Sequence, residues 1–229
     1  DVCSSDLYYR NLHSTAALEG LGVRVLNCLN TGVYAGNKLF THMLLKKFGV
    51  PTPDATVAFS KNAALETLDS QGYPRVIKPT VGSWGRLISK LNDRDAAEGI
   101  IESRENMYPI YQVHYLEEFV KRPPRDIRAI MVGDKIVAAI YRSSKHWKTN
   151  MALGGVAEPC KVTQEMEEMC IKAKDAVEGD IVGVDLMESD EKGLVVHEVN
   201  NTTEYKNTVR VCEVDIPSLM LDYALAIEK

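Results

Sequence analysis

The sequence lacks the features that would place it in several common classes of protein. Its five cysteines are far apart, they form no CxxC pair, and no apolar segment resembles a secretory signal. Neither a disulfide framework nor a thiolate metal site is indicated, and we expect a cytoplasmic protein. The longest apolar runs, such as residues 136–141, are far shorter than the ~20 residues that cross a bilayer. The sequence therefore predicts no membrane role.

The charge is unevenly distributed along the 229-residue chain, whose 45% hydrophobic content is enough for a substantial core. Residues 121–150 carry eight Lys and Arg side chains against two aspartates, so this segment has a net charge of +6 in a protein of net charge −5. A local basic field in an acidic protein suits phosphate groups or an acidic partner better than duplex DNA, so we expect no nucleic-acid partner. A solvated basic pair of strands is the simpler alternative.

The apolar pattern alternates between helical and strand periods, without internal repeats or a linker long enough to separate independent domains. A predicted βαβ unit in the middle of the chain leads into β-hairpins, so we expect an α+β fold. The predicted helices cover residues 8–18, 36–48, 62–68, 93–102, 163–177 and 216–227. The predicted strands cover residues 55–59, 75–78, 87–91, 111–115, 127–132, 135–141, 181–187 and 193–199.

Two neighbouring strands, GVDLM and VVHEVN, carry the strongest chemical signal. Residues two apart on a strand share a face, so Glu198 and Asn200 present their oxygens side by side. A symmetric turn between the strands would place Asp185 opposite Glu198, with Cβ atoms roughly 5 Å apart. Two carboxylates this close repel unless a cation lies between them, and two carboxylates with an amide oxygen suit Mg²⁺. The alternative is a solvent-facing hairpin, although the apolar neighbours of Glu198 predict burial, which is costly without a counter-ion.

A second signal is the strand that ends at Lys78 and leads into a loop with a glycine at each end. The loop consists of Gly82, Ser83, Trp84, Gly85 and Arg86. Glycines let backbone N–H groups approach an anion, which is one way to hold nucleotide phosphates. Neither a Walker A motif nor G-x-G-x-x-G occurs, and a GxxG loop alone is more often a hairpin turn. A second lysine, Lys38, on the first long helix supports the nucleotide interpretation.

Together these residues resemble the ATP-grasp ligases of the RimK group, and most closely the LysX and ArgX enzymes. The resemblance covers roughly residues 8–229 and runs through GNKLFTHMLLKKFGVPTP, VIKPTVGSWGR, EEFVKRPPRDIRAIMVGDKIVAAIYR, TNMALGGVA, GVDLM and HEVNNTTEYKN. It implies two α+β subdomains that grip ATP between them, preceded by an N-terminal subdomain that is mostly missing here. The expected division is a remnant of that subdomain at residues 1–34, a central subdomain at 35–120 and a C-terminal catalytic subdomain at 121–229.

The resemblance also implies roles for individual residues. The expected nucleotide-binding residues are Lys38, Lys78, the loop of Gly82, Ser83, Trp84, Gly85 and Arg86, and the adenine hinge of Glu118, Phe119 and Val120. Asp126 is expected near the nucleotide, Arg128 at the reacting carboxylate, and Arg142 and Asn150 at phosphate and acyl groups. The expected Mg²⁺ ligands are Asp185, Glu198 and Asn200.

The activity implied by the resemblance is that of an ATP-dependent carboxylate–amine ligase of lysine or arginine biosynthesis. Its cofactors would be ATP and Mg²⁺, with Mn²⁺ as the alternative ion, and the carboxylate would be activated as an acyl phosphate. The implied partners are a small acidic carrier protein like LysW, which supplies a C-terminal glutamate, and an amino acid, with homo-oligomerisation left open. Three alternatives remain: RimK-like addition of glutamate to a ribosomal protein, a nucleotide-binding fragment without ligase activity, and a purely structural role. The last leaves the cluster of Asp185, Glu198 and Asn200 unexplained.

The choice of amino acid is where the sequence stops being informative. Lys206, in the NTTEYKN segment at residues 201–207, is the candidate partner for the distal carboxylate of the substrate. Glutamate and α-aminoadipate differ by one methylene group, which a pocket distinguishes by only ~1–3 kcal/mol. A sequence motif cannot decide between them.

Overall fold

The structure is a computed structural model that describes residues 5–82, 85–149 and 155–227. Within these ranges no helix is long and apolar enough to cross a membrane. Three residues expected at the nucleotide site, Ser83, Trp84 and Asn150, lie outside the described residues.

The chain alternates between short helices and strands, as the apolar pattern predicted. Its helices are α1 (Ser5–Gly20), α2 (Leu29–Ala35), α3 (Lys38–Lys47), α4 (Lys61–Gln71), α5 (Arg94–Glu105), α6 (Gln164–Ala176), α7 (Lys206–Cys212) and α8 (Ile216–Ile227). Its strands are β1 (Ala55–Ala58), β2 (Arg75–Lys78), β3 (Ser89–Leu91), β4 (His114–Glu118), β5 (Arg125–Val132), β6 (Lys135–Ser143), β7 (Val156–Pro159), β8 (Ile181–Ser189) and β9 (Gly193–Asn200). Four helices begin at a capping residue whose side chain accepts a hydrogen bond from a backbone N–H group of the first turn. The capping residues of α3, α4, α5 and α6 are Asn37, Ser60, Asp93 and Thr163.

The first sheet has the strand order β1-β4-β2-β3, and every pairing in it is antiparallel. The predicted βαβ unit of β1, α4 and β2 forms with β4 inserted between its strands. Helices α4 and α5 cover the sheet, where Leu68, Ile101 and Leu116 are fully buried. Because β2 ends at Lys78, this packing brings the Lys78 ammonium group to the second sheet, where it contacts His197.

The second sheet has the strand order β7-β6-β5-β8-β9 and is also antiparallel. Successive side chains of β5 point to opposite faces. Ala129 lies in the core that α3 and α6 help to form, whereas Ile130 lies on the other face beneath Ile216 of α8. Asp126 and Arg128 share the face of Ile130 but line a cavity instead. This face is therefore apolar at one end and charged at the other.

The sequence analysis missed four short elements: α2, β7, α7 and a 3-10 helix at Pro109–Tyr111. Each has three to seven residues, too few for a periodic apolar pattern to stand out. The division at residues 34 and 120 stays a prediction. The packing of α3 bears on it, because Leu45 and Val50 lie in the core of the second sheet rather than of the first.

Candidate active site

A cavity of about 870 Å³ lies between the two sheets and is lined by residues of both. It brings together every expected site residue that the structure describes: Lys38, Lys78, Gly82, Gly85, Arg86, Glu118, Phe119, Val120, Asp126, Arg128, Arg142, Asp185, Glu198 and Asn200. These residues are up to 162 positions apart in the chain, from Lys38 to Asn200. Their individual roles stay predictions, but their convergence is a property of the fold.

A row of alternating charges crosses the second sheet on the cavity side. Arg142 and Asp126 are cross-strand partners, and Arg142 donates to both oxygens of Asp126, at 2.6 and 2.9 Å. Arg128 and Asp185 are partners on the next pair of strands, and Arg128 donates to both oxygens of Asp185. Arg142 also lies 3.1 Å from Asp185. The strand period and the register therefore place four buried or half-buried charges on one face.

Burial opposes ionisation of this row, but the neighbouring charges reverse its effect. Burial raises the pKa of Asp185, whereas the guanidinium groups of Arg128 and Arg142 lower it, and the resulting pKa lies well below its usual range. The pKa of Arg142 moves the other way: burial lowers it, Asp185 and Asp126 raise it, and the net pKa is raised. Asp185 and Arg142 are therefore both charged at neutral pH, held by paired hydrogen bonds of defined geometry.

The pairing of β8 with β9 contains a β-bulge beside the site. Asp185 lies opposite Glu198, as predicted, but Leu186 pairs with Val196. The symmetric turn assumed in that prediction therefore does not form, and His197 is the extra residue. A bulge re-aims a side chain, and both His197 and Glu198 line the cavity.

Glu198 has a counter-ion within the protein. The Nζ atom of Lys38 lies 3.0 Å from Oε1 of Glu198 and donates to the carbonyl of Gly82 at 2.7 Å. Burial raises the pKa of Glu198. The Lys38 ammonium group, followed by His197, lowers the pKa by more than burial raises it, so the net pKa is lowered. The sequence analysis gave this carboxylate a metal ion as its counter-ion. Lys38 supplies one without a metal and ties the glycine loop to the same carboxylate.

A buried cluster around Lys78 was not expected from the sequence. The Lys78 Nζ atom lies 2.5 Å from Oε1 of Glu117 and 2.5 Å from Nε2 of His197, and the Tyr115 hydroxyl lies 3.4 Å from Oε2 of Glu117. Burial raises the pKa of Glu117, but Lys78 and then His197 lower it to about 2. The sequence offered one usable signal, because Tyr115 and Glu117 are two residues apart on one strand and so share a face.

Replacing Glu117 by glutamine should destabilise the protein at neutral pH. The folded-state pKa of about 2, against an ordinary value of 4.5, corresponds to about 3 kcal/mol of stability at ~1.4 kcal/mol per unit. Because the folded pKa is depressed, this stability is complete above the ordinary pKa and is lost as the pH falls towards 2.

Urea unfolding of the wild type and Glu117→Gln at pH 7, 5, 4 and 3 measures this difference in unfolding free energy. The exposed position Glu66 on α4 provides the control, since Glu66→Gln should change the unfolding free energy by less than about 0.5 kcal/mol. A difference between wild type and Glu117→Gln that stayed constant down to pH 3 would contradict the ion-pair interpretation.

The segment expected to meet adenine is braced by an aromatic contact and an ion-pair network. The ring of Phe119 lies edge-on to that of Trp147, with centroids 6.1 Å apart. Glu118 pairs with Lys192 at 2.6 Å, and Lys192 also pairs with Asp54 at 2.8 Å. The ion pair of Glu118 with Lys192 connects β4 of the first sheet to the β8–β9 turn of the second. Sequence reasoning missed Trp147 and Lys192 because their partners are distant in the chain.

Comparison with known proteins identifies the family. A family model described as the RimK-like ATP-grasp domain matches residues 35–224. The chain belongs to the RimK-like ATP-grasp family.

Curated relatives of this ATP-grasp chain are ligases. The α-aminoadipate–LysW ligase LysX of Sulfurisphaera tokodaii is 40% identical over 216 residues, which are 93% of this chain and 75% of that protein. The glutamate–LysW ligase ArgX of Sulfolobus acidocaldarius is 34% identical over 218 residues, which are 94% of this chain and 77% of that protein. A tetrahydromethanopterin:α-L-glutamate ligase of Methanococcus maripaludis is 36% identical over 206 residues, covering 89% of this chain and 70% of that protein.

Solved structures show the same fold. A RimK-domain ATP-grasp protein from Sphaerobacter thermophilus superposes with a TM-score of 0.77 at 19% identity, covering 93% of this chain and 76% of that one. A D-alanine–D-alanine ligase from Bacillus anthracis gives a TM-score of 0.72 at 16% identity, covering 93% and 75%. The predicted α+β ATP-grasp fold is thus confirmed, and with the curated relatives it makes the chain an ATP-dependent carboxylate–amine ligase.

The expected Mg²⁺ ligands of the ATP-grasp chain have the oxygen chemistry that suits a divalent cation. Asp185 faces Glu198 in register, and the Asn200 side-chain amide lies 3.5 Å from Asp185. Two carboxylates and an amide form a hard-oxygen set. Over the described ranges, no group of three or more His, Cys, Asp and Glu side chains is placed to hold a metal ion, and the expected set contains only two such residues. The ligand assignment stays a prediction.

Proposed function

We propose that this ligase joins α-aminoadipate to the C-terminal carboxylate of a small acidic carrier protein like LysW. The observation that carries the proposal is 40% identity to an α-aminoadipate–LysW ligase over 93% of the chain, in a structure whose expected site residues share one cavity. α-Aminoadipate is preferred to glutamate because the glutamate–LysW ligase relative is less similar, at 34% identity. The carrier, like the amino acid, is a proposal for this chain.

The proposed division of labour follows from the charges in the cavity. Lys38, Lys78 and the glycine loop bind the phosphates of ATP, and Arg128 and Arg142 neutralise charge as the γ-phosphoryl group moves to the carboxylate. Asp185, Glu198 and Asn200 would hold Mg²⁺, which would supply further neutralisation of charge on the phosphates when bound. The amine then displaces phosphate from the acyl phosphate. Because an acyl phosphate hydrolyses readily, the reaction requires a site that limits the access of water, and the position between the two sheets suits this.

A direct test is a reaction of the purified protein with ATP, Mg²⁺, carrier and each amino acid. We expect ATP-dependent growth of the carrier mass by one amino-acid residue, faster with α-aminoadipate than with glutamate, measured by mass spectrometry. The opposite preference would overturn the choice of amino acid. ADP release that does not depend on any carrier would overturn the choice of carrier.

The basic segment at residues 121–150 contributes less surface charge than its composition suggests. Arg125 pairs with Glu188 at 2.6 Å, and Arg122 donates to backbone carbonyls, including that of Trp147 at 3.1 Å. Lys148 also donates to backbone carbonyls. Lys121 and Lys145 are the exposed lysines of this segment that line the cavity. We propose that these two, rather than the whole segment, meet an acidic carrier.

Reversing the charge at Lys121 and Lys145 to glutamate should raise the KM for the carrier and weaken its dependence on salt. Rim charges act mainly on encounter, so kcat at saturating carrier should change little. Each charge contributes up to ~1 kcal/mol, which predicts roughly a tenfold rise in KM for the double variant at low salt. Steady-state kinetics at two salt concentrations measure this.

Lys135→Glu is the matched control for that experiment. Lys135 is exposed on the same β-hairpin but does not line the cavity. Lys135→Glu changes the net charge by the same amount per site. An equal rise in the carrier KM per site would therefore indicate a general effect of net charge rather than docking at the rim.

A further inference from the structure

Two cationic side chains hold the carboxyl-terminal end of the glycine loop, and the two residues that follow it, through backbone carbonyls. Lys148 donates to the carbonyls of Gly85 at 3.3 Å and Ile88 at 2.6 Å, and Arg104 donates through Nη2 to the carbonyl of Leu87. Of the described residues, Lys148 lines the cavity and Arg104 does not. Arg104 extends from the last turn of α5 and is only 3% exposed. The segment is thus held by Lys148 on the side of the cavity and by the buried Arg104 on the side of α5, which is the protein side.

The surroundings of Arg104 are unusual for a buried cation. Its Nη1 atom has no hydrogen-bond partner among the described residues, and the same holds for Nδ1 of His114, which is 1% exposed. Burial lowers the pKa of Arg104 to about 10, and burial followed by the charge of Arg104 lowers the pKa of His114. An apolar side chain of similar size would avoid the cost of burying such a charge, so packing alone does not explain an arginine here.

Leu87, the residue that Arg104 holds, has a backbone conformation that an L side chain rarely adopts. Its φ is +55°, in the left-handed region, and the nearby Gly85 has a φ of +67°. A strained conformation of this kind persists only where its surroundings determine it, and such residues cluster at functional sites. The hydrogen bond from Arg104 is one restraint of this kind.

The direction of the Leu87 carbonyl also determines what the loop presents to the cavity. In a planar trans peptide the C=O group and the following N–H group point in opposite directions. Because the Leu87 carbonyl points to Arg104 on the protein side, the N–H group of Ile88 points away from Arg104, and Ile88 lines the cavity. Backbone N–H groups that converge on a cavity bind anions.

We infer that Arg104 is a positioning residue for the phosphate-binding loop, because it orients the Leu87–Ile88 peptide so that the N–H group of Ile88 faces the triphosphate of ATP. Arg104 touches neither the nucleotide nor the reacting carboxylate and acts through the backbone alone. The inference rests on the proposed nucleotide site.

The test compares ATP with adenosine, since only ATP has phosphates for the loop to bind. Calorimetric titration of Arg104→Met in Mg²⁺ should show a loss of about tenfold or more in ATP affinity, equivalent to ~1.4 kcal/mol, with adenosine affinity unchanged within about twofold. Arg94→Met is the control, because Arg94 lies on the same helix and pairs with Asp69 at the surface. This control should retain wild-type affinity for both ligands.

The outcomes separate this inference from the proposed function. A wild-type protein that binds ATP no better than adenosine refutes the proposed nucleotide site itself. A normal wild type with equal losses of ATP and adenosine affinity in Arg104→Met, or with no loss, overturns only the role of Arg104. Should Arg104→Met fail to fold, Arg104→Lys, which keeps the charge but not the planar fork, decides the matter. Its ratio of ATP to adenosine affinity should fall, and an unchanged ratio would refute the inference.

Discussion

Replacing Glu198 by glutamine is expected to abolish carboxylate-dependent release of ADP while the protein stays folded. Glu198 faces Asp185 across the β8–β9 ladder and pairs with Lys38. The substitution therefore removes one carboxylate from the proposed metal set and the counter-ion of Lys38, which is proposed to bind the nucleotide. Loss of a mere supporting contact at a metal site costs about 10–100-fold, so loss of a ligand should reduce activity by more than ~100-fold. Coupled detection of ADP, with and without carrier, measures this.

Glu188→Gln is the matched control for Glu198→Gln. Glu188 lies on β8, away from the cavity lining, and pairs with Arg125 near the surface. The control should keep at least half of the wild-type activity, because an exposed ion pair contributes at most ~1 kcal/mol to stability. Circular dichroism and thermal unfolding establish that both variants are folded. If Glu198→Gln still released ADP in a carrier-dependent way at a rate close to wild type, the assignment of Glu198 would be wrong.

Replacing Arg142 by methionine is expected to cost both stability and activity. Arg142 is 8% exposed, donates twice to Asp126 and lies 3.1 Å from Asp185. Methionine leaves these carboxylates buried with less positive charge around them, and removal of one partner from a buried ion pair costs about 3–5 kcal/mol. We expect that loss in the free energy of urea unfolding at pH 7, with ligase activity reduced at least ~100-fold, as for loss of other charge-stabilising groups.

Two further variants separate the buried ion pair from a general effect of losing an arginine. Arg125→Met removes a half-exposed ion pair on the same sheet and should cost less than about 1 kcal/mol. The double variant Asp126→Asn with Arg142→Met removes both members of a pair, so it should be more stable than the two single effects predict. Additive effects would instead show that Arg142 stabilises the protein independently of Asp126.

The sequence predicted the local geometry of the site well because strand periodicity is a local property. Asp126 and Arg128 are two residues apart on β5, and Glu198 and Asn200 are two apart on β9, so each pair shares a face wherever the strand lies. The pairing of Asp185 with Glu198 was predicted from a symmetric turn, but it forms because the bulge at His197 shifts the register by one residue. The bulge at His197 did not follow, because a bulge depends on packing against other elements rather than on the turn alone.

The counter-ions of the site could not be predicted in the same way. Lys38 meets Glu198 only because α3 packs on the second sheet, and Lys78 meets His197 only because the two sheets approach each other. From the sequence, we predicted that a metal ion neutralises the two close carboxylates, Asp185 and Glu198. The structure shows that protein cations also neutralise them. Lys38 pairs with Glu198, 160 positions away, and Arg128 and Arg142 pair with Asp185, 57 and 43 positions away.

The amino-acid sequence by itself determined the fold class, the family resemblance and which charged residues lie on one face of each strand. Apolar periodicity decides which side of an element is buried, and the polar residues on the opposite side then follow. Only the tertiary structure decided which charges are surface charges. The basic segment at residues 121–150 has a net charge of +6, yet Arg125, Arg128 and Arg142 of this segment are bound to carboxylates. The physical reason is that composition counts charges, whereas the electric field outside a protein depends on which of them packing leaves unpaired at the surface.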